Sequence, residues 1–393
     1  MIKKQTLDFQ KNPQGLRGPQ PPDALFVSGD TRAASGKPCD ARLSLHGALS
    51  APSAQARSET SKNVAKPLFR QVTYPIVDLH CDTLCQVALT KGRDRLAKSA
   101  GHLDLPRLRA GGALLQCFAM FAPAQPLEEH PAIGDTPEAV VQALYAWYCR
   151  EMEENQGQIA PALRYGDIGR NRDAGRISAL LTLEDGAVIK ALPDVDALYE
   201  KGVRMVALTW NFPNTLGFPN SENREDMAKG LTGLGRAVVS RMQELGMVVD
   251  VSHLSDGGFE DVAALAEKPF VASHSNARAV TNHPRNLTDG MLRALAARGG
   301  AAGLNFYSLF TGEGSHTTME GLLRHALHIR KVAGIEALCL GSDFDGIGCT
   351  LEFGDYAGYP ALLQAFEKHF TPRELDLITH GNALRILRDC MEG

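Results

Sequence analysis

The sequence predicts an α/β protein whose main body is one (β/α)8 barrel, and three observations carry that prediction. Eight short apolar runs alternate with amphipathic segments of helix length. From Pro75 onward the alternation occupies about 310 residues, the size of a single barrel. The runs also tend to finish on His, Asp or Glu, and a barrel gathers its chemistry at the C-terminal ends of its strands. Periodicity does not report closure, so an open doubly wound sheet is the alternative fold. No Gly-x-Gly-x-x-Gly follows the first run, which counts against a dinucleotide-binding version of that sheet.

In chain order the runs are IVDLH (76–80), ALLQCFAMF (113–121), ISALLTLED (177–185), MVALTW (205–210), MVVDVSH (247–253), PFVASHS (269–275), AAGLNFY (301–307) and ALCLGSDFD (337–345). The helical segments between them include PEAVVQALYAWYCREMEE, LTGLGRAVVSRMQELG, SDGGFEDVAALAE, TDGMLRALAARGG and MEGLLRHALHIRKVAG. Several open on Ser, Thr or Asp and close on Gly, which are helix-capping residues. Ahead of this pattern, residues 1–70 mix Pro, Gly, Ser, Ala, Lys and Arg with brief apolar pieces such as ALFV at 24–27. They are expected to be a poorly ordered extension, leaving 71–393 as the barrel domain.

Composition narrows the function classes. A chain of 393 residues with 44% hydrophobic and 22% charged residues is globular and can bury a large core. Its net charge of −4 and lack of a long basic block give nucleic acid or an anionic membrane nothing to bind. The eight cysteines are scattered without a paired zinc-type spacing and read as reduced thiols of a cytoplasmic protein. Lys3 and Lys4 are followed by QTLDFQKNPQG and not by an apolar stretch, and no run is long enough to span a bilayer. Neither export nor membrane insertion is expected. A homodimer is allowed by composition but not specified.

The first run shows why strand ends matter. Along an extended chain Leu79 and Cys81 fall on one side and Asp78, His80 and Asp82 on the other, so His80 and Asp82 can converge on a divalent metal. The other runs repeat the theme: Glu184 and Asp185 end the third, His253 the fifth, His274 the sixth, and Asp343 and Asp345 the eighth. A single terminal His or Asp is usually a structural hydrogen-bonding group or a helix cap. Five such ends in one barrel point to a metal centre. Two histidine-rich ligand sets sharing a carboxylate suit a pair of zinc ions bridged by hydroxide, with Glu184 as the shared group because its two oxygens can serve one ion each. Hydrolysis is then the expected reaction class. His283, His316, His325, His328, His369 and His380 lie away from strand ends and read as structural or solvated. Arg278 either reaches the site or pairs with a structural carboxylate. Asn305 and Tyr307, ending the seventh run, either line the pocket or pack.

With these residues in view, the sequence resembles the membrane dipeptidase (renal dipeptidase) family of zinc dipeptidases. The resemblance runs from about Val77 to Leu387 through VDLHCDT, HLDLPRLRAGG, LTLEDG, DVSHLSD, SHSNARAVTNHPRNLTD, GSDFDG and GNALRIL. It implies a metal-dependent hydrolase of the (β/α)8 TIM barrel type with two Zn2+ per chain. His80, Asp82 and Glu184 would hold one ion, and Glu184, His253 and His274 the other. It also implies Arg285 of HPRN as the arginine that binds the substrate carboxylate and Asp343 of GSDFDG as the general acid and base. Dipeptides, with a D-residue tolerated on the C-terminal side, are the implied substrates. One position departs from the animal members, which carry a histidine after LT where this chain has Trp210. That exchange touches carbonyl polarisation and side-chain preference, while LTWN resembles a bacterial branch.

The resulting expectation is a cytoplasmic dizinc dipeptidase. A bridging hydroxide attacks the peptide carbonyl, Asp343 moves the proton, and Arg285, Trp210 and Asn305 face the substrate. Two rivals accompany it: another amidohydrolase-type reaction on the same barrel, such as a lactonase, deacylase or deaminase, and a non-catalytic peptide-binding homologue.

Overall fold

The computed structural model describes residues 74–392 apart from residues 126 and 128–131. The extension expected over residues 1–70 lies outside the described residues, as does Cys39.

All eight expected runs contain strands: β1 (Ile76–Asp78), β2 (Ala113–Phe121), β4 (Ile177–Glu184), β5 (Val203–Ala207), β6 (Val248–Asp250), β7 (Val271–Ala272), β8 (Ala301–Leu304) and β10 (Leu338–Leu340). Each pairs in parallel with the next, and the ring closes where β10 pairs with β1 and β2 with β4. The closed barrel therefore prevails over the open sheet. Three short strands escape the sequence pattern. β3 (Ile159–Pro161) pairs with β4 at Ile177–Ala179, on the edge that β5 takes over from Leu181. β9 (His316–Thr317) and β11 (Thr350–Leu351) form a separate parallel pair. Two or three residues carry no readable period, and Pro161 has no amide hydrogen to give.

The helices on the outside are capped as their sequences suggest. Thr136, Thr232, Ser255, Thr288 and Thr318 each accept a backbone N–H of the first turn through the side-chain oxygen. Each such cap is worth about 1 kcal/mol. Inside the ring, Val77, Leu115, Leu180, Met205, Val248, Val271, Ala301 and Cys339 bring all eight strands into one apolar cluster. Ala383, Ile386, Leu387 and Cys390 of the last helix, Asn382–Met391, complete it. A larger apolar layer lies between the strands and the outer helices.

Two buried carboxylates fasten neighbouring strands in the same way. Asp78 accepts the His80 amide two residues on (3.3 Å), the Ser342 amide beyond β10 (2.9 Å) and the Tyr359 hydroxyl (2.8 Å). Asp250 accepts the Ser252 amide (2.9 Å) and the Ser273 amide beyond β7 (2.9 Å). Asp78 is thus spent on the β1–β10 seam and does not join His80 and Asp82. Regular strand geometry ends at Asp78, so side-to-side alternation no longer governs the residues after it.

The seven described cysteines form no disulfide, and no helix among the described residues is long and apolar enough to cross a membrane.

At Gly303 of β8 the barrel wall leaves no room for a side chain, since an added Cβ would lie 1.9 Å from the Ser273 carbonyl oxygen. Gly303→Ala should cost at least about 2 kcal/mol, because backbone must move to admit the methyl group. Gly169, inside the helix Tyr165–Asp173, has nothing within 4 Å of such a Cβ, and Gly169→Ala should stabilise by about 0.5–1 kcal/mol. Urea midpoints of the two variants moving in opposite directions would bear this out.

Candidate active site

The C-terminal ends of β1, β4, β6, β7 and β10 deliver six buried side chains to one place at the barrel mouth. Among the described residues, three overlapping groups could hold a metal ion: His80, Asp82 and Glu184; Glu184, His253 and His274; and His80, His274 and Asp343. Glu184 joins the first two. Its Oε2 lies 3.3 Å from His80 Nε2, while its Oε1 lies 3.1 Å from His253 Nε2 and 3.7 Å from His274 Nε2. Asp82 Oδ2 is 3.4 Å and Asp343 Oδ1 3.9 Å from the same His80 nitrogen. His253 and His274 bring their Nε2 atoms to within 3.0 Å of each other.

Local backbone makes these approaches feasible. His253 and Asp343, just beyond their strands, adopt left-handed φ values of 65° and 64°, a region few non-glycine residues occupy. Gly346 runs against the site so closely that a Cβ there would meet Asp82 Oδ2 at 2.1 Å and Asp343 Oδ1 at 2.6 Å.

Burial and mutual charge drive the site's titration in opposite directions. Burial opposes a charge on His80, but Glu184 and Asp82 outweigh it and hold the imidazole pKa well above its ordinary value. Burial lowers the pKa of His253 and of His274 well below 6.5, helped by the nearby charges of Arg285 and His80, so both rings are neutral. Burial and Glu184 push Asp82 up to about 6. Burial, with Asp82 and Glu184 close by, raises Asp343 well above the carboxylate range against the pull of His80.

The donor set fits divalent metal. It mixes neutral imidazoles with carboxylates, the ligand types zinc takes. The buried His80 Nε2 and Asp82 Oδ1, both on residues of the cluster, have no hydrogen-bond partner among the described residues. Metal ligation would satisfy both atoms.

Beside this cluster lies a buried cation. Arg285 Nη1 donates to Ser275 Oγ (3.0 Å) and Nη2 to the His274 carbonyl (3.2 Å), and its guanidinium stands 5.2 Å over the Phe310 ring. Its Nε has no partner, and no carboxylate pairs with it among the described residues. Burial lowers its pKa to about 10, with Asp343 and Glu184 acting the other way. A guanidinium held this way offers a place for a ligand anion. Asn305 points its amide at Asp343 Oδ2 (3.0 Å) and at the His274 carbonyl (3.2 Å). Trp210 is fully buried, with its ring edge-on to Phe121 at 4.9 Å and 6.1 Å from the His253 ring.

The structure also separates strand-end acids that the sequence could not. Asp185 caps the turn 186–188 and accepts the Ala124 amide and the Asn214 side chain, and burial pushes its pKa up to about 7. Asp345 turns to Thr83 and His102. Arg278 is two-pronged on Asp256, at 2.7 and 2.8 Å, which makes it a structural pair. His283, His316, His328 and His380 make local hydrogen bonds outside the cluster. Sequence reasoning missed Asn211, whose Oδ1 lies 3.0 Å from His253 Nδ1, and Ser273, whose Oγ lies 2.7 Å from His274 Nδ1. The one available signal for Ser273 was the Ser-His pair it forms in ASHS.

Comparison with known proteins decides among the hydrolase readings. The family model described as membrane dipeptidase (peptidase family M19) matches residues 65–392. The chain belongs to this family. An uncharacterized dipeptidase of Schizosaccharomyces pombe is 30% identical over 83% of this chain and 83% of its own. The crystal structure of dipeptidase AC, an M19 metallopeptidase, superposes with a TM-score of 0.73 at 29% identity, over 82% of this chain and all (100%) of that one. A metallopeptidase from Rhodobacter sphaeroides, liganded with a phosphinate mimic of L-Ala-D-Ala, gives 0.71 at 28% identity, over 81% and 99%. This membrane dipeptidase family member is accordingly a metallo-dipeptidase, a hydrolase of peptide bonds.

His325 shows how a histidine outside the site still shapes acid stability. It is buried, its Nδ1 accepts the Ala277 amide at 3.2 Å, and burial lowers its pKa to about 4. An unfolded imidazole titrates near 6.5, so His325 exerts no pH effect above that value. As pH falls from about 6.5 to about 4 the unfolded chain takes up a proton the folded one refuses, and up to about 3 kcal/mol of stability is lost. Across that window, stability of His325→Gln should fall less steeply with acid than that of the parent, as read from urea midpoints.

Proposed function

We propose that this family member is a dizinc dipeptidase of the cytoplasm that cleaves L-L and L-D dipeptides. The observation that carries the reading is Arg285, a buried cation without a carboxylate partner beside a cluster in which Glu184 divides its two oxygens between ligand groups. His80, Asp82 and Glu184 would hold one zinc ion and Glu184, His253 and His274 the other. Zinc, when bound, supplies an acidified water and a Lewis acid for the peptide carbonyl.

The remaining work falls to the chain itself. Arg285 binds the free C-terminal carboxylate of the substrate as a two-pronged, charge-assisted pair, which restricts the enzyme to very short peptides. Asp343, oriented by the Asn305 amide, takes the proton of the attacking water and hands it to the leaving amine. Its raised pKa suits a group that must hold a proton between those two steps. Trp210 walls the mouth beside His253 and excludes water there. The inclusion of L-D dipeptides is supported by the Rhodobacter sphaeroides relative, whose bound ligand mimics L-Ala-D-Ala.

Metal content tests the binuclear reading. Elemental analysis of purified protein should give about two zinc per chain, and chelation should abolish turnover until zinc is returned. Full activity at one ion per chain would overturn it.

Arg285 tests the dipeptide reading against lactones, acyl amino acids and other amidohydrolase substrates. Arg285→Met should lower kcat/KM for dipeptides by about 30- to 1000-fold, corresponding to about 2–4 kcal/mol. It should leave turnover of a C-terminally amidated dipeptide, already a poor substrate, nearly unchanged. Equal losses on both substrates would remove the carboxylate clamp from the mechanism.

A further inference from the structure

His274 can serve a metal only if Nε2 carries its lone pair, and the ring alone does not decide this, since neutral imidazole exists as two tautomers. The surroundings of Nδ1 do decide it. Asp250, two positions before Ser252 on β6, hydrogen-bonds through Oδ2 to the Ser273 hydroxyl, and Ser273 Oγ lies 2.7 Å from His274 Nδ1. All three residues are buried. A carboxylate accepts and cannot donate, so the single hydroxyl hydrogen of Ser273 goes to Asp250. Ser273 Oγ is then left as an acceptor, and His274 must carry its proton on Nδ1. The carboxylate is unable to turn away, because its Oδ1 is held by the amides of Ser252 and Ser273, both at 2.9 Å. Ser252 secures the same geometry from another side, its Oγ 3.2 Å from Ser273 Oγ while it accepts the His274 amide at 3.2 Å.

We propose that Asp250 and Ser273 are positioning residues of the hydrolase: a buried relay that keeps the His274 Nε2 lone pair directed into the metal cluster. The inference rests on the metal reading of the site but concerns residues that touch neither metal nor substrate. An outer partner of this kind typically tunes metal affinity by about 10- to 100-fold.

The decisive variant is Asp250→Asn, which preserves shape. Its amide oxygen stays with the two backbone N–H groups, so its NH2 faces Ser273 Oγ as a donor. The Ser273 hydrogen is then turned toward His274 Nδ1, and the imidazole proton is forced onto Nε2. An amide placed behind a catalytic-triad histidine traps the wrong tautomer by the same logic.

The experiment has two arms. In metal-free protein labelled with 15N-histidine, NMR should show His274 protonated on Nδ1 in the parent and on Nε2 in Asp250→Asn. In zinc titrations against a chromogenic chelator, Asp250→Asn should weaken one of the two ions by about 10- to 100-fold and spare the other. Ser273→Ala should weaken that same ion by about tenfold, since the ring keeps its place but loses its tautomer preference. The relay is overturned if His274 has the same tautomer in parent and Asp250→Asn, or if the variants melt earlier yet bind both ions as tightly as the parent. A parent that takes up no zinc would defeat the metal reading alone, and the tautomer arm would still decide the relay.

Discussion

Glu184 is nearly inaccessible to solvent, yet imidazole nitrogens press on both of its oxygens and two further carboxylates stand within reach of the same His80 nitrogen. In a low-dielectric interior such a crowd is costly unless its charges are matched. The titration pattern records the conflict: carboxylates forced up, two imidazoles forced down, and one imidazole held protonated as a substitute cation. A metal ion would resolve it by supplying positive charge where these side chains meet. The remainder of the barrel is arranged to hold these side chains together against their own repulsion.

That holding is done largely by backbone and by carboxylates at a distance from the reaction. His253 and Asp343 sit in left-handed conformations that cost about 1–3 kcal/mol each for such residues, and the fold must over-determine them. Asp78 and Asp250 contribute by fastening the strands that carry these side chains, each tying an amide of its own strand end to an amide of the neighbouring one. Gly346 lets the chain pass within contact of Asp82 and Asp343 where any side chain would separate them.

The barrel's eight strands and the identities of the metal-ligand candidates were legible because both leave periodic or positional traces. An apolar run announces a strand, and its final residue announces what the strand presents. β3, β9 and β11 were too short to leave a trace. Strand ends also carry more acids than the site uses, and residue type alone does not say that Asp185 and Asp345 turn to backbone amides and hydroxyls while Asp343 turns inward. Arg278 illustrates the same limit, since its partner Asp256 becomes visible only once β6 and β7 are neighbours. Asp250 and Asn211 were illegible, and Ser273 left only its place before His274, for a different reason: a hydrogen-bond chain behind an imidazole depends on orientation, and composition does not encode it.

The seam between β1 and β10 has a consequence for how the enzyme comes into being. Asp78 and Ser342, which close the ring, are 264 residues apart in sequence, and His80 waits for Asp343 across almost the same interval. Contacts so distant along the chain form late, after most loop-closure entropy has been overcome. During synthesis the first strand must therefore remain unpartnered on one edge until the last one emerges. A nascent chain can carry His80, Asp82 and Glu184 and still lack Asp343, so the six-residue cluster is assembled only with near-completion of the barrel.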